Sequence, residues 1–74
     1  MTAKKRPGEQ LSFSDALRKV RELKDWTQSD LAEKIGTYQP RISIWETGLE
    51  VPASGMTRKH LEKFFEAHGV SVQW

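Results

Sequence analysis

Apolar residues recur at helical spacing in four stretches of the chain, with glycine or proline between them. Phe13, Ala16, Leu17, Val20 and Leu23 fall three and four apart, the period of a helix that buries one face. Ser12 stands before them as an N-cap, with Asp15 where a capping box would carry Glu or Gln. The pattern predicts a first helix over about 13–25. Thr27 opens a second helix, and Asp30 at its third position can answer the cap. Leu31, Ala32 and Ile35 are its apolar stripe, and Gly36 is its left-handed stop. Barely two turns long, this helix cannot persist alone, so neighbours must clamp it. Pro40 fits the first turn of a third helix, over about 39–47, and makes Gln39 the expected N-cap. Ile42 and Trp45 are its inward pair and Gly48 ends it. Residues 48–55 read as a loop from their glycine and proline content. A fourth helix, over about 56–68, is expected to bury Met56, Leu61, Phe64, Phe65 and the edge of His68 before halting at Gly69. The tail Val70–Trp74 alternates apolar and polar residues, which is the strand period.

A chain of 74 residues makes one small domain, whose fold leaves much of its surface in water. It has no cysteine, which removes disulfides and thiolate metal sites as supplements to the core. An economical helical fold assisted by a partner subunit is therefore expected. No apolar run is long enough for a signal peptide or a membrane span, so a cytoplasmic protein is expected. The net charge of +2 is unevenly spread. Residues 1–10 carry Lys4, Lys5 and Arg6 against Glu9, so the rest of the chain is neutral. Pro7-Gly8 and the lack of any period mark residues 1–11 as a basic arm. Such an arm suits nucleic acid, through phosphate or minor-groove contacts, and equally serves as a plain solubilising tail.

The informative stretch is 27–48, TQSDLAEKIGTYQPRISIWETG. Two short helices joined through Gly36 by about four residues must cross steeply. Ala32, four residues before the glycine, is small enough for the close approach. At about 100° per residue, Pro40, Ser43, Ile44 and Thr47 lie opposite the inward pair Ile42 and Trp45, with Gln39 and Arg41 at the flanks. That outward face is small, uncharged except for Arg41, and mixed in hydrogen-bonding and methyl character. It suits insertion into a major groove, where base edges offer donors, acceptors and thymine methyls.

Residues 12–70 resemble the lambda-repressor/Cro (XRE-type) helix-turn-helix family. The matching strings are T-Q-x-x-L-A-x-x-I-G, then I-S-x-W-E-x-G-x-x-x-P, and a last helix ending A-x-G-V. The resemblance implies an all-α, four-helix domain that binds double-stranded DNA and regulates transcription. Gln28 matches a family glutamine that contacts phosphate and braces the recognition helix. Gln39 matches one that often reads adenine. Tyr38 stands, after Thr37, where the family usually has Ser or Thr, and its ring can stack on sugar or press on a thymine methyl. Arg41, Ser43 and Ile44 match positions that vary with the operator. The expected roles are Arg41 on guanine or phosphate and Ile44 on a thymine methyl. Pro40 replaces a side chain that contacts bases elsewhere in the family. Arg21 and Glu46 match a structural ion pair, with Arg21 also near enough to expect a phosphate contact. Many family members continue into a fifth, dimer-forming helix. Here residues 71–74 form a tail, and Val70, Val72 and Trp74 are the candidates for a strand pairing across a two-fold axis, as in Cro-like dimers.

Ordinary roles account for most other polar groups. His60 and His68 are eight apart, about 12 Å in rise, too far for a shared metal, so no metal or other cofactor is expected. No glycine-rich phosphate loop and no serine–histidine pairing is present, so the chain is not expected to be an enzyme. The leading expectation is a homodimeric regulator, a repressor of phage or mobile-element type, on a palindromic operator. The alternative is an antitoxin or anti-activator that binds a toxin or activator protein through the same fold.

Overall fold

The computed structural model describes residues 11–74; Lys4, Lys5 and Arg6 lie outside the described residues. In chain order come β1 (Leu11–Ser12), α1 (Phe13–Lys24), α2 (Gln28–Ile35), α3 (Gln39–Thr47), α4 (Gly55–Ala67) and β2 (Val72–Gln73). No helix among the described residues is long and apolar enough to cross a membrane.

Local signals start and stop these helices much as the residue pattern predicts. Ser12 accepts from the Asp15 backbone N–H, and the Asp15 carboxylate pairs with Arg18 at 2.6 Å. At α2 the Thr27 hydroxyl accepts from the Asp30 N–H while the Asp30 carboxylate accepts from the Thr27 N–H, a complete capping box. Asp25, in left-handed conformation, closes α1. Gly36 closes α2 at φ 96°. The N–H groups of Gly36 and Thr37 both donate to the Ala32 carbonyl, each at 2.8 Å, so the turn is fastened to the last full turn of α2. A Cβ added at Gly36 would meet nothing within 4 Å. Gly36→Ala is therefore expected to cost about 1 kcal/mol in urea unfolding, from the left-handed backbone alone.

The core forms around α1, whose Phe13, Ala16, Leu17 and Val20 are buried against Leu31, Ala32, Ile42, Trp45, Leu61 and Phe65. Phe13 is its hub. Its ring centroid lies 5.3 Å from Trp45 and 6.1 Å from Phe65, both edge-on, and 4.8 Å from Trp74. These are favourable aromatic separations.

Several expectations need correction. Leu23 continues the α1 period but is 55% exposed, because the last turn of the helix extends beyond the core. Met56 is 84% exposed. It lies five residues before Leu61, about 140° round the helix, so Thr57 and Arg58 hold the inward side of the first turn instead. Tyr38, not Gln39, caps α3: its carbonyl accepts from both Arg41 and Ile42, which draws Gln39 into the helix despite the following proline.

The largest correction concerns the tail. The predicted strand exists, but it pairs within its own chain. β1 and β2 run parallel, Leu11 opposite Val72 and Ser12 opposite Gln73, with the Leu11 N–H on the Ser71 carbonyl at 2.9 Å. Parallel pairing needs a long crossover, and the four helices supply it. Val70 and Val72 are buried in the monomer. Trp74 lies on Phe13, donates its indole N–H to Glu62 at 2.6 Å, and carries the Arg58 guanidinium 5.4 Å from its ring centroid. All three side chains pack on the chain's own core, with Trp74 half-buried. Leu11 and residues 71–74, assigned to arm and tail by pattern, belong to the folded body.

Candidate nucleic-acid interface

The outer face of α3 is built by what holds its inner face. Ile42 and Trp45 are buried, as their spacing requires, and the buried face continues to Glu46, only 7% exposed. A carboxylate so enclosed needs partners for its charge. Arg21 supplies two hydrogen bonds, Nε to Oε2 at 2.7 Å and a terminal nitrogen to Oε1 at 2.9 Å, the two-point geometry that suits guanidinium and carboxylate. The hydrogen bond to Glu46 raises the Arg21 pKa above its ordinary value, against the lowering effect of burial. Arg21 thus keeps its charge, and its guanidinium also reaches the Trp26 carbonyl at 3.4 Å. The expected ion pair between α1 and α3 is present, and it spends Arg21 within the protein.

Sequence reasoning missed a second strut. Arg18 donates to the backbone carbonyl of Glu46 at 2.7 Å. A cation there satisfies a carbonyl in the last turn of α3 and complements the negative end of its dipole. The available signal was the spacing of Arg18 and Arg21, three apart on one face of α1.

From Glu46 the bonding continues to the surface. Gln28, the first residue of α2, donates to Glu46 Oε1 at 3.1 Å. Gln39, the first residue of α3, donates to Gln28 Oε1 at 2.6 Å. The two glutamines meet at the adjoining N-termini of α2 and α3, and Gln28 braces α3 by direct contact.

The outward side then presents Tyr38 (69% exposed), Gln39, Pro40, Arg41, Ile44 (43% exposed) and Thr47, with Ser43 and Thr37 half-buried. Arg41 is the one charged side chain on that side of α3. Its guanidinium lies 5.8 Å from the Trp45 ring centroid, a cation–π contact that limits how freely it swings. The Thr47 hydroxyl is occupied locally: it donates to the Ile44 carbonyl at 2.5 Å and accepts from the Leu49 N–H at 3.2 Å, so it fastens the end of α3. Among the described residues no cluster of histidine or acidic side chains could hold a metal ion. His60 and His68 stand apart, and the His68 ring bonds the Phe64 carbonyl at 2.8 Å.

Two short helices joined by the turn at Gly36, the second exposing a nearly neutral face and tied to α1 through Arg21 and Glu46, match the arrangement of a groove-binding unit. A family model described as helix-turn-helix matches residues 17–74. The chain belongs to the XRE-type helix-turn-helix family. No curated protein and no solved structure matches the chain. Membership in this Cro/C1 family makes the protein a DNA-binding transcription regulator. It belongs to a DNA-binding family and not to a family of enzymes.

Proposed function

We propose that this helix-turn-helix protein acts as a homodimeric repressor on a palindromic operator, with α3 in the major groove of each half-site. The observation that carries the reading is the outer face of α3, which offers amide, hydroxyl, guanidinium and methyl groups from a helix immobilised by Glu46. Gln39, Arg41, Ser43 and Ile44 are the base-reading set: Gln39 for adenine, Arg41 for guanine or an adjacent phosphate, Ile44 for a thymine methyl. Thr37, Tyr38, Pro40 and Thr47 frame the groove. Gln28 and the start of α2 face phosphate, and the arm with Lys4, Lys5 and Arg6 adds phosphate or minor-groove contacts.

Pairing of two copies is supported by exposed apolar side chains, Leu49 and Val51 in the loop after α3 and Met56 in the first turn of α4. A two-fold dimer would set its reading helices about 34 Å apart, one turn of DNA. The same exposed side chains support a second reading, in which a toxin or activator protein occupies them. A footprint on DNA flanking the protein's own gene, with random duplex as competitor, tests the choice. Two protected half-sites one turn apart are expected. No protection at micromolar protein, together with a stoichiometric protein partner in a pull-down, would favour the second reading.

Arg41→Ala is expected to weaken the selected site about tenfold or more and relax preference at one base pair. An equal loss on all sequences, measured by competition binding, would remove Arg41 from the base-reading set.

A further inference from the structure

A cleft of about 490 Å³ opens between the turn at Gly36, α3 and the first turns of α4, a size that small-molecule sites share. Ile35, Trp45 and Pro52 give it apolar walls, and the Tyr38 ring stands at its rim. None of the residues lining it is acidic. Arg41 bends into this cleft, its guanidinium 5.8 Å from the Trp45 ring centroid. Among the described residues the Arg41 side chain makes no ion pair and no hydrogen bond. Its five N–H donors, in a fork that matches a carboxylate, are therefore unused. Trp45 adds another donor. It is only 6% exposed, yet no hydrogen bond among the described residues engages its indole N–H, and that nitrogen is not sealed from water. An indole so enclosed ordinarily finds a partner.

We propose that this cleft binds a small aromatic carboxylate, its acid group on Arg41 and its ring against Tyr38 and the apolar walls. Charge selects the acid, because a site with a cation, unused donors and no carboxylate of its own favours an anion. The walls select the ring. A bare phosphate would meet the donors but leave Ile35 and Pro52 facing water, whereas a ring covers them. Occupancy of the cleft also has a consequence for DNA, which rests on reading α3 as the base-reading helix. An Arg41 held by a carboxylate in the cleft is not available to guanine or to phosphate. Ligand and operator then compete for one guanidinium, and each weakens the other by the same factor. The carboxylate acts as a release signal, delivered through a residue that both sites share.

The test is an NMR titration of the isotope-labelled full chain with naphthylacetate, with its neutral amide naphthylacetamide, and with inorganic phosphate. Naphthylacetate should shift the Trp45 indole and Arg41 side-chain signals saturably, with a Kd of about 1 mM or tighter for a ligand of this size. The amide should bind at least about tenfold more weakly, and so should naphthylacetate to Arg41→Gln. Arg41 is exposed, so this variant should keep the wild-type fold and spectrum. Failure of these signals to saturate by about 10 mM naphthylacetate overturns the proposal. Equal binding of the amide overturns the role of Arg41, and equal binding of phosphate reduces the cleft to a plain anion site, which overturns the ligand class. The DNA arm uses a duplex enriched from a randomised library. Saturating naphthylacetate should weaken its binding to the wild type about tenfold and leave its binding to Arg41→Gln unaffected. Unchanged affinity with the cleft filled overturns the coupling. If the protein enriches no duplex, the reading of α3 fails and the coupling with it, while the titration by itself decides the cleft.

Discussion

Replacing Glu46 by alanine is expected to lower the free energy of unfolding by about 3 kcal/mol, because removal of one partner from a buried ion pair strands the other. Arg21 would keep its charge with no carboxylate in reach, and Gln28 would lose the acceptor of its inward N–H. The Arg21 side chain is 26% exposed, so water recovers part of the loss and the value falls at the low end for buried pairs. In a domain this small such a loss is a large share of the total stability. Urea unfolding measures it, and a loss below about 1 kcal/mol would show that the pair behaves as a surface salt bridge. A cycle with Arg21→Met separates coupling from cavity effects, and the double variant should recover part of the single loss. The pH dependence has a definite sign. The Arg21 pKa is raised in the folded state by its bond to Glu46. Its contribution is therefore fully present below the ordinary guanidinium range and is withdrawn only as strong alkali removes the proton. Raising the pH from neutral to mildly basic should leave this contribution unchanged.

The same pair illustrates what can be read from residues alone. Helix existence was legible because several starts and stops have a local cause: the Ser12 and Thr27 hydroxyls cap, and Gly36 and Gly48 turn left-handed, whereas Ser54, which caps α4, read only as part of a loop. The inward positions of Ile42 and Trp45 followed from period, and the partnership of Arg21 with Glu46 followed from family likeness. Periodicity could not reveal where a helix outruns its neighbours. Leu23 and Met56 therefore looked like core and are solvated, since burial depends on what packs opposite. Strand pairing was similarly hidden. Alternation in Val70–Trp74 announces a strand but names no partner, and β1 is only two residues long, too short to register as a pattern. The reading face was legible as a set of residues, whereas the bonds from Gln28 to Gln39 and from Arg18 to Glu46 join residues far apart in sequence. Their geometry is a product of how α1, α2 and α3 cross.

That hidden strand gives the second large effect. Trp74→Ala is expected to cost about 2 kcal/mol, less than for a fully buried tryptophan because the ring is half-buried. Three contacts go at once: the stack on Phe13 at 4.8 Å, the Arg58 guanidinium at 5.4 Å, and the hydrogen bond to Glu62 at 2.6 Å. For a domain of this length the loss corresponds to a drop in Tm of about 10 °C. The decisive feature is its dependence on concentration. A strand paired within the chain loses the same free energy at any dilution, whereas for one exchanged between two copies the loss shrinks as the protein is diluted and the copies separate. Thermal unfolding of wild type and variant over a wide range of protein concentration should give a constant difference. A difference that shrinks on dilution would return Val70, Val72 and Trp74 to an interface between chains. The effect should also stop short of the DNA. Phe13 links Trp74 to Trp45 beneath α3, so an unfolded fraction will lower apparent binding. Well below its Tm, the variant should bind the selected site as the wild type does, because the Arg21–Glu46 clamp that holds α3 is untouched.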